Sequence, residues 1–386
     1  MPSVPTTSLE LTDPAFVADP YPFFADERAR HEVAWSESAG MWLAFSHAAV
    51  SAVQRDRRLG RLWQDKEPTD YLEPFNLLHR NQMMENEPPA HTRLRRPVAA
   101  AFKRGHVERL RPRVHEIATA LLDEVDPSGF DLMAAYAEPL PVLVICELLG
   151  FPHSEVDHLR QWSQAIVRMY ERSPSQQIVD EAVAASVNFA DLVREFIKAP
   201  TPDSLIADLV DAGELSPDEL VASVVLLLNA GHEASVNVFG NGMVAALHRG
   251  LSPATGSEPL AVEEMLRFDS AAQMFLRTAT EPVEVGGVTV ETGQQIAVLL
   301  GSANRDAAAF ESPDEMRLDR DPNPHVAFGV GVHFCIGAPL ARMELAESLA
   351  TLFGRFSRLE LAGAPISRGT FVLRGHHEVP VRAVAG

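Results

Sequence analysis

Apolar residues follow two rhythms along this chain. Between Ser216 and His248 nearly every position is apolar or small, through Val224-Val225-Leu226-Leu227-Leu228 and on past Ala230-Gly231. Ser216-Pro217-Asp218-Glu219 opens that stretch with a capping serine, a proline in the first turn and early acids, so it predicts one long helix crossing the core. Helical patterning also dominates from Val107 to about Ile197, with breaks near Pro127-Ser128-Gly129 and Phe151-Pro152. A further helical segment covers Pro22 to His31, and Ser46 caps another that reaches about Gln54. The second rhythm is short and strand-like. Glu32–Trp35 and Met41–Phe45 predict a hairpin turned at Ser38-Ala39-Gly40, and two valine runs, Val283–Val285 and Val288–Val290, flank a Gly-Gly turn. Phe371-Val372-Leu373 and Val379-Pro380-Val381 read as strands near the C-terminus. From Arg61 to Met84 the periodicity is poor, which predicts a long irregular segment anchored by scattered apolar groups. The pattern as a whole predicts a mainly α fold with a smaller β region, in one domain over residues 1–386.

Composition narrows the function. A formal charge of -20 excludes a general nucleic-acid role, because neutralising phosphates needs a basic surface. Two cysteines exclude a disulfide framework, and Cys146 lies on an apolar helical face where packing accounts for it. No run of eighteen apolar residues reads as a membrane span, and the first residues lack the pattern of a signal peptide, so a cytoplasmic protein without a membrane anchor is expected. The acidity is uneven: His91 to Arg113 holds eight arginines and lysines against a single acid, Glu108. That run is either a solvated helix face or a docking patch for an acidic partner.

The second cysteine carries the chemistry. Phe328-Gly329-Val330-Gly331-Val332-His333-Phe334-Cys335-Ile336-Gly337 is an apolar, glycine-punctuated loop that leads into Ala338-Pro339-Leu340-Ala341-Arg342-Met343-Glu344, a helix start. A sulfur at a helix N-terminus is favoured as the thiolate, the form that ligates metals or attacks carbon. Gly329 and Gly331 permit a tight bulge, and Gly337 leaves room for a flat ligand beside the backbone. The mid-helix pair Ala230-Gly231 removes bulk in the same way.

Phe-Gly-x-Gly-x-His-x-Cys-x-Gly followed by Leu-Ala-Arg-x-Glu resembles the haem-binding loop of the cytochrome P450 family. The resemblance extends in order along most of the chain, through His91-x-x-x-Arg95, Glu233 in the long helix, Glu264-x-x-Arg267 and Arg320. It implies haem b buried between the long helix and the cysteine loop, with Cys335 as the axial thiolate that favours O–O cleavage. It further implies His91, Arg95, Arg277 and His333 as donors to the haem propionates. Phe328, Gly329, Gly337 and Ala230 become cofactor contacts, and Glu264, Arg267 and Arg320 a structural cluster behind the loop. Leu226, Asn229, Gln273 and Val372 are candidate pocket residues, Asn229 and Gln273 as polar anchors for an otherwise apolar substrate. The segment from Ser163 to Ala199 corresponds to the helix pair covering the pocket, and Arg61–Met84 to a variable loop over it. Electrons are expected from NAD(P)H through a ferredoxin-type donor and its reductase, since Gly329-x-Gly331 lacks the third glycine and the context of a dinucleotide fingerprint.

The chain departs from the family at one position. Most members carry threonine after the acid of the long helix, whereas this chain has Ala234, with the hydroxyl one residue on at Ser235. One helical step turns a side chain by about 100°. A proton relay must therefore be built from Glu233, water and either Ser235 or the substrate, unless the reaction is an oxidation such as coupling or desaturation that bypasses the usual relay. Two rival readings stand beside it. One is a cysteine hydrolase with Cys335 as nucleophile and His333 as base, which lacks an evident orienting group. The other is a haem-binding sensor without turnover.

Overall fold

The long helix runs from Pro217 to Leu247 in the computed structural model, which describes residues 4–102, 104–171 and 173–384, with backbone alone at 101 and 104–106. Its start is a reciprocal capping box: the Glu219 amide donates to Ser216 Oγ at 3.3 Å, and the Ser216 amide to Glu219 Oε2 at 2.9 Å. The helix is long and apolar enough to cross a membrane by composition, yet 83% of its most apolar window is buried inside the protein. It is a core helix. Helices Thr69–Arg80, Pro139–Leu149, Val156–Val167, Gln176–Phe196 and Glu258–Phe268 pack around it, sharing one large cluster that includes Phe75, Tyr136, Phe189, Leu228 and Leu349.

The β region lies to one side. Its main sheet has six strands in the order Thr6–Thr7, Val33–Ser36, Met41–Ala44, Gln295–Leu299, Met274–Ala279 and Leu59–Gly60. The predicted hairpin is present, with Trp35 opposite Trp42, and its second strand runs parallel to Gln295–Leu299. Met274–Ala279 pairs antiparallel with that same central strand and places Arg277 opposite Ile296. The valine hairpin pairs Val283 with Val290, and Gly286 and Gly287 both take positive φ at its turn.

Two expectations are corrected. The stretch taken as irregular contains a helix, Thr69–Arg80, and a short turn of 3-10 helix, Met83–Glu85. Leu72, Phe75 and Leu78 form its buried stripe, but Pro74 inside the helix and Asn76 between them mask the period. Phe371–Leu373 is a turn held by one bridge between Ala272 and Leu373, and the C-terminal strand is Pro380–Ala383.

Candidate active site

The cysteine loop is fastened at both ends. The Cys335 amide donates to the Phe328 carbonyl at 2.9 Å, closing the loop on itself. Gly331 has φ +78°, and a Cβ there would fall 2.4 Å from the Gln54 carbonyl oxygen, so only glycine fits. Gln54 Oε1 also accepts the Val330 amide at 2.6 Å, which ties the loop to the His47–Arg55 helix. On the far side Arg342 donates to both carboxylate oxygens of Glu263, at 2.6 and 2.9 Å, and its guanidinium stands 4.6 Å over the Phe328 ring. The following helix is Ala338–Arg355, with Gly337 at its N-cap. At Gly337 a Cβ would meet no protein atom closer than 3.9 Å, so any constraint on that side comes from a ligand. Burial dominates and raises the Cys335 thiol on balance, against the amides of Gly337 and Ala338 and the guanidiniums of Arg95 and Arg342, which pull it down. All four opposing groups favour the thiolate, the ligand form.

Behind the loop sits a fully buried ionic cluster. Arg267 forks onto Glu264 with both bonds at 2.8 Å, and Arg320 Nε reaches Glu264 Oε2 at 3.0 Å. Glu264 and Arg267 are 0% exposed and Arg320 is 4%. The remaining guanidinium hydrogens go to backbone carbonyls: Arg267 to Asn304, Pro313 and Glu315, and Arg320 to Glu311, Ser312 and Glu315. Each charge is thus desolvated but bonded at every nitrogen and oxygen, the condition under which a buried pair is tolerated.

The long helix presents one open face. Ala230 is exposed and Ala234 half-buried, although nearly all their neighbours on the helix are buried. Exposure in the middle of a core helix means that this face borders an internal space, and Leu226, 6% exposed, continues it one turn earlier. Ser235 does not point there. Its side chain faces Glu344, on the cysteine-loop helix, and draws that carboxyl's pKa down against burial. Glu344 is 2% exposed, its Oε1 has no partner, and burial raises its pKa to about 8. Together with Tyr136 and Phe239 these two residues line a cavity barely the size of one water molecule. Glu233 is also engaged: Oε2 accepts from Arg368 at 3.1 Å, and Oε1 lies 3.5 Å from His232 Nε2. Arg368 bonds Glu138 as well, at 3.2 Å.

A second set of groups converges beside the loop, and two of them, Arg277 and His91, have no anion bonded to them. Arg277 is 4% exposed, and its recorded hydrogen bond goes only to the neighbouring Leu276 carbonyl, at 2.9 Å. Burial, reinforced by Arg61, pushes its pKa down to about 9 against the opposing pull of Glu87 and Glu85. His91 is 4% exposed with an orphaned Nε2, and burial together with His333 and Arg95 lowers it to about 4. Arg95 donates to the Phe334 carbonyl at 2.6 Å, beside the cysteine. His333 stands 4.5 Å from His91 between ring centres, and its Nε2 lies 2.8 Å from Glu87 Oε1. Gln273 departs from expectation. It is 0% exposed, and its amide donates to Ser270 O and Tyr21 Oη at 2.6 and 3.1 Å, away from any open space. Val372 is half-buried beside Phe371, and Asn229 is buried with Oδ1 unpartnered.

The comparisons with known proteins agree with this geometry. The cytochrome P450 family model matches residues 259–368, which hold the ionic cluster and the cysteine loop. The chain is 35% identical to the cytochrome P450 monooxygenase PikC of Streptomyces venezuelae, over 98% of this chain and 95% of that protein. It is 36% identical to the 6-deoxyerythronolide B hydroxylase of Saccharopolyspora erythraea, over 98% and 99% of the two chains. Among solved structures, P450BioI in complex with an acyl carrier protein superposes with a TM-score of 0.90 at 29% identity, covering 96% of this chain and 100% of that one. The chain belongs to the cytochrome P450 family, and it is a monooxygenase, an oxidoreductase that requires haem and externally supplied electrons.

The residues present fit a haem. Cys335 offers one sulfur ringed by groups that favour its anion. Arg277 and His91 are buried donors lacking an anion, which is what two buried carboxylates require. A charge-assisted hydrogen bond is worth roughly 1.5–3 kcal/mol, so Arg277→Ala should weaken haem retention by about tenfold or more. Arg95→Ala should act in the same direction. Haem transfer to apomyoglobin measures this directly, and unchanged transfer rates in both variants would remove these residues from the propionates.

Several participants escaped the sequence. Glu344 and Arg342 belong to the motif that carried the resemblance, but no local pattern marks one as a buried acid and the other as a strut to Glu263. Arg61, Glu85, Glu87 and Arg368 were invisible for the same reason, since each acquires its partner only through the fold.

Proposed function

We propose that this enzyme oxidises an apolar small molecule, a natural-product intermediate, most simply by hydroxylation. The open face Leu226–Ala230–Ala234 and the half-buried Val372 supply apolar walls, with the Asn229 carbonyl oxygen as a polar anchor. The relatives' names support the chemical class. When bound, the haem supplies reductive activation of O2 and insertion of one oxygen atom into the substrate. The chain's own task is to exclude bulk water and to hold protons near Ala234, where no hydroxyl is available.

The observation that carries the reading is the pair Ser235–Glu344. With its pKa near 8, Glu344 holds a proton at neutral pH in a site shielded from solvent. Ser235 Oγ takes up that proton on the Glu344 side of the helix, and ordered water has to carry it round to the space beside Ala234, where water or a substrate hydroxyl completes the path. Glu233 plays the lesser part, because Arg368 holds its carboxylate. A positioned donor contributes about 10²–10⁴-fold in rate.

Coupling of product to NAD(P)H consumed, measured with a surrogate ferredoxin and reductase, tests this. Ser235→Ala and Glu344→Gln should each lower coupling severalfold, whereas Ala234→Thr should bring little gain or a loss. A large gain with threonine, and no effect of the other two, would overturn the relay. Glu344 adds a readout that needs no turnover. The folded protein binds this proton more tightly than the unfolded chain does, so the residue's contribution to stability falls as pH rises from about 4.5 to 8. Glu344→Gln should flatten that fall in melting temperature.

Two further readings accompany this one. CxnD, a neighbour at TM-score 0.88 and 30% identity, is described as forming a C–S bond, and an oxidative coupling would equally suit a site with alanine at 234. For electron supply we retain a ferredoxin-type donor docked on the basic run. That run is partly neutralised from within: Arg93 pairs with Glu219, Arg96 with Glu214 and Arg113 with Glu147. Lys103, also in the run, lies outside the described residues.

A further inference from the structure

Arg61 follows the edge strand Leu59–Gly60, and the pairing of that strand decides what it faces. Leu59 lies opposite Ala279 and Gly60 opposite Thr278 in antiparallel register, so the next position along brings Arg61 to Arg277. Both side chains stand over one face of the Met274–Ala279 strand. The Arg61 guanidinium is 5.1 Å from the Phe275 ring centre, and Phe275 and Arg277, two residues apart, share that face. Like charges directly opposite each other destabilise a strand pair, and burial deepens the effect. Arg277 is 4% exposed and the Arg61 side chain 12%. The repulsion is felt at Arg277, where Arg61 adds to burial in lowering the pKa.

The nearby carboxylates do not relieve it. Glu85 accepts from Arg61 Nη2 through one oxygen and makes no bond to Arg277. Glu87 is engaged elsewhere: its Oε1 takes the Arg61 amide at 2.7 Å and lies 2.8 Å from His333 Nε2. Gly60 permits that approach, because a Cβ there would fall 2.9 Å from Glu87 Cγ. Among the described residues, Arg61 Nε is left buried without an acceptor, and Arg277 bonds only the Leu276 carbonyl. Two guanidiniums held side by side, each with unused donors, are arranged for an anion that neither strand supplies.

We infer that Arg61 is a further residue holding a haem carboxylate, which it shares with Arg277, and that Glu85 positions the Arg61 guanidinium for that task. The donors implied by the resemblance do not include it. Arg61 also answers a second need. Glu85 and Glu87 both act on Arg277 with negative charge, and a haem carboxylate brought beside them is tolerated better against two cations than against one. A carboxylate borne by the substrate has the same chemistry. The haem is favoured because Glu87 ties the Arg61 backbone to His333, two residues from Cys335, which places the guanidinium pair beside the cysteine loop.

Haem transfer from the loaded enzyme to apomyoglobin tests the assignment. Arg61→Gln removes a charge-assisted bond and should speed transfer about tenfold or more. Glu85→Gln leaves the cation in place and should act less strongly. The enzyme is then reconstituted with haem dimethyl ester, whose carboxyls carry no charge, and there Arg61→Gln should make no difference. Unchanged haem transfer in Arg61→Gln would overturn the assignment, and so would equal acceleration with haem and ester, since Arg61 would then only prop the fold. Should the ester fail to load, Arg61→Gln combined with Arg277→Ala decides. A departure from the product of the single factors by about threefold or more supports a shared carboxylate, and simple multiplication overturns it. Binding of dodecanoate against dodecanol, read from the haem spectrum, separates the other source. Loss of dodecanoate affinity alone in Arg61→Gln, with haem transfer unchanged, would give the guanidinium pair to a substrate carboxylate and overturn the haem assignment.

Discussion

Replacing Cys335 with serine or alanine is expected to abolish the red-shifted absorption of the reduced, CO-bound enzyme, and monooxygenase turnover with it. No other described group can substitute. Cys146, the second cysteine, is buried in the core with its thiol raised to about 12 by burial alone. The loop around Cys335 is held by Gln54, Phe328 and Arg342 and not by the sulfur, so the fold should survive the change. Far-ultraviolet circular dichroism checks that point, and CO difference spectroscopy of the same sample checks the ligand. Survival of the thiolate-type band in Cys335→Ala would displace the cysteine from the iron.

Glu264→Ala is expected to cost more stability than any surface change in this protein. It strips two guanidiniums of their only shared carboxylate while both remain almost wholly buried. Removing one partner of a buried pair costs about 3–5 kcal/mol, against a total of about 5–15 kcal/mol for a typical folded domain. The Arg317 amide and the Asn323 side chain lose the same acceptor, at 2.7 and 3.2 Å. Because Arg320 and the loop carbonyls it binds lie just ahead of the cysteine loop, haem retention should fall in parallel. Glu264→Gln keeps the shape and one strong acceptor, and should fall between the two. Urea denaturation of the three proteins measures the effect, and an unchanged midpoint for Glu264→Ala would show that the cluster contributes nothing to stability.

These two sites differ in how far they could be read in advance. Cys335 was legible because its chemistry is local: glycines, a proline and a helix start within a dozen residues define where the sulfur sits. The Glu264 cluster was half legible. A Glu-x-x-Arg spacing places two side chains on one helical face, but the same spacing describes countless exposed pairs, and only burial by the segment from Glu311 to Arg320 makes this one buried and fully bonded. Ser235 was legible only as a residue turned away from Ala234. Its partner lies more than a hundred positions along the chain, and nothing in either neighbourhood announces the contact.

Taken alone, the sequence determined the long apolar helix with its capping serine, the two hairpins, the cysteine loop and the absence of a hydroxyl at Ala234. These follow from periodicity, turn chemistry and motif spacing, all of which act over a few residues. The tertiary structure decided which charged groups are buried and what they touch: Glu344 against Ser235, Arg368 against Glu233, His333 against Glu87, and Arg61 against Glu85. It also made a helix of Thr69–Arg80, whose apolar stripe is interrupted by Pro74 and is stabilised only by packing on the long helix and on Gln176–Phe196. The reason is one of range. Hydrogen bonds and ion pairs between distant segments acquire their strength from desolvation, and desolvation is a property of the assembled core that no short stretch of chain contains.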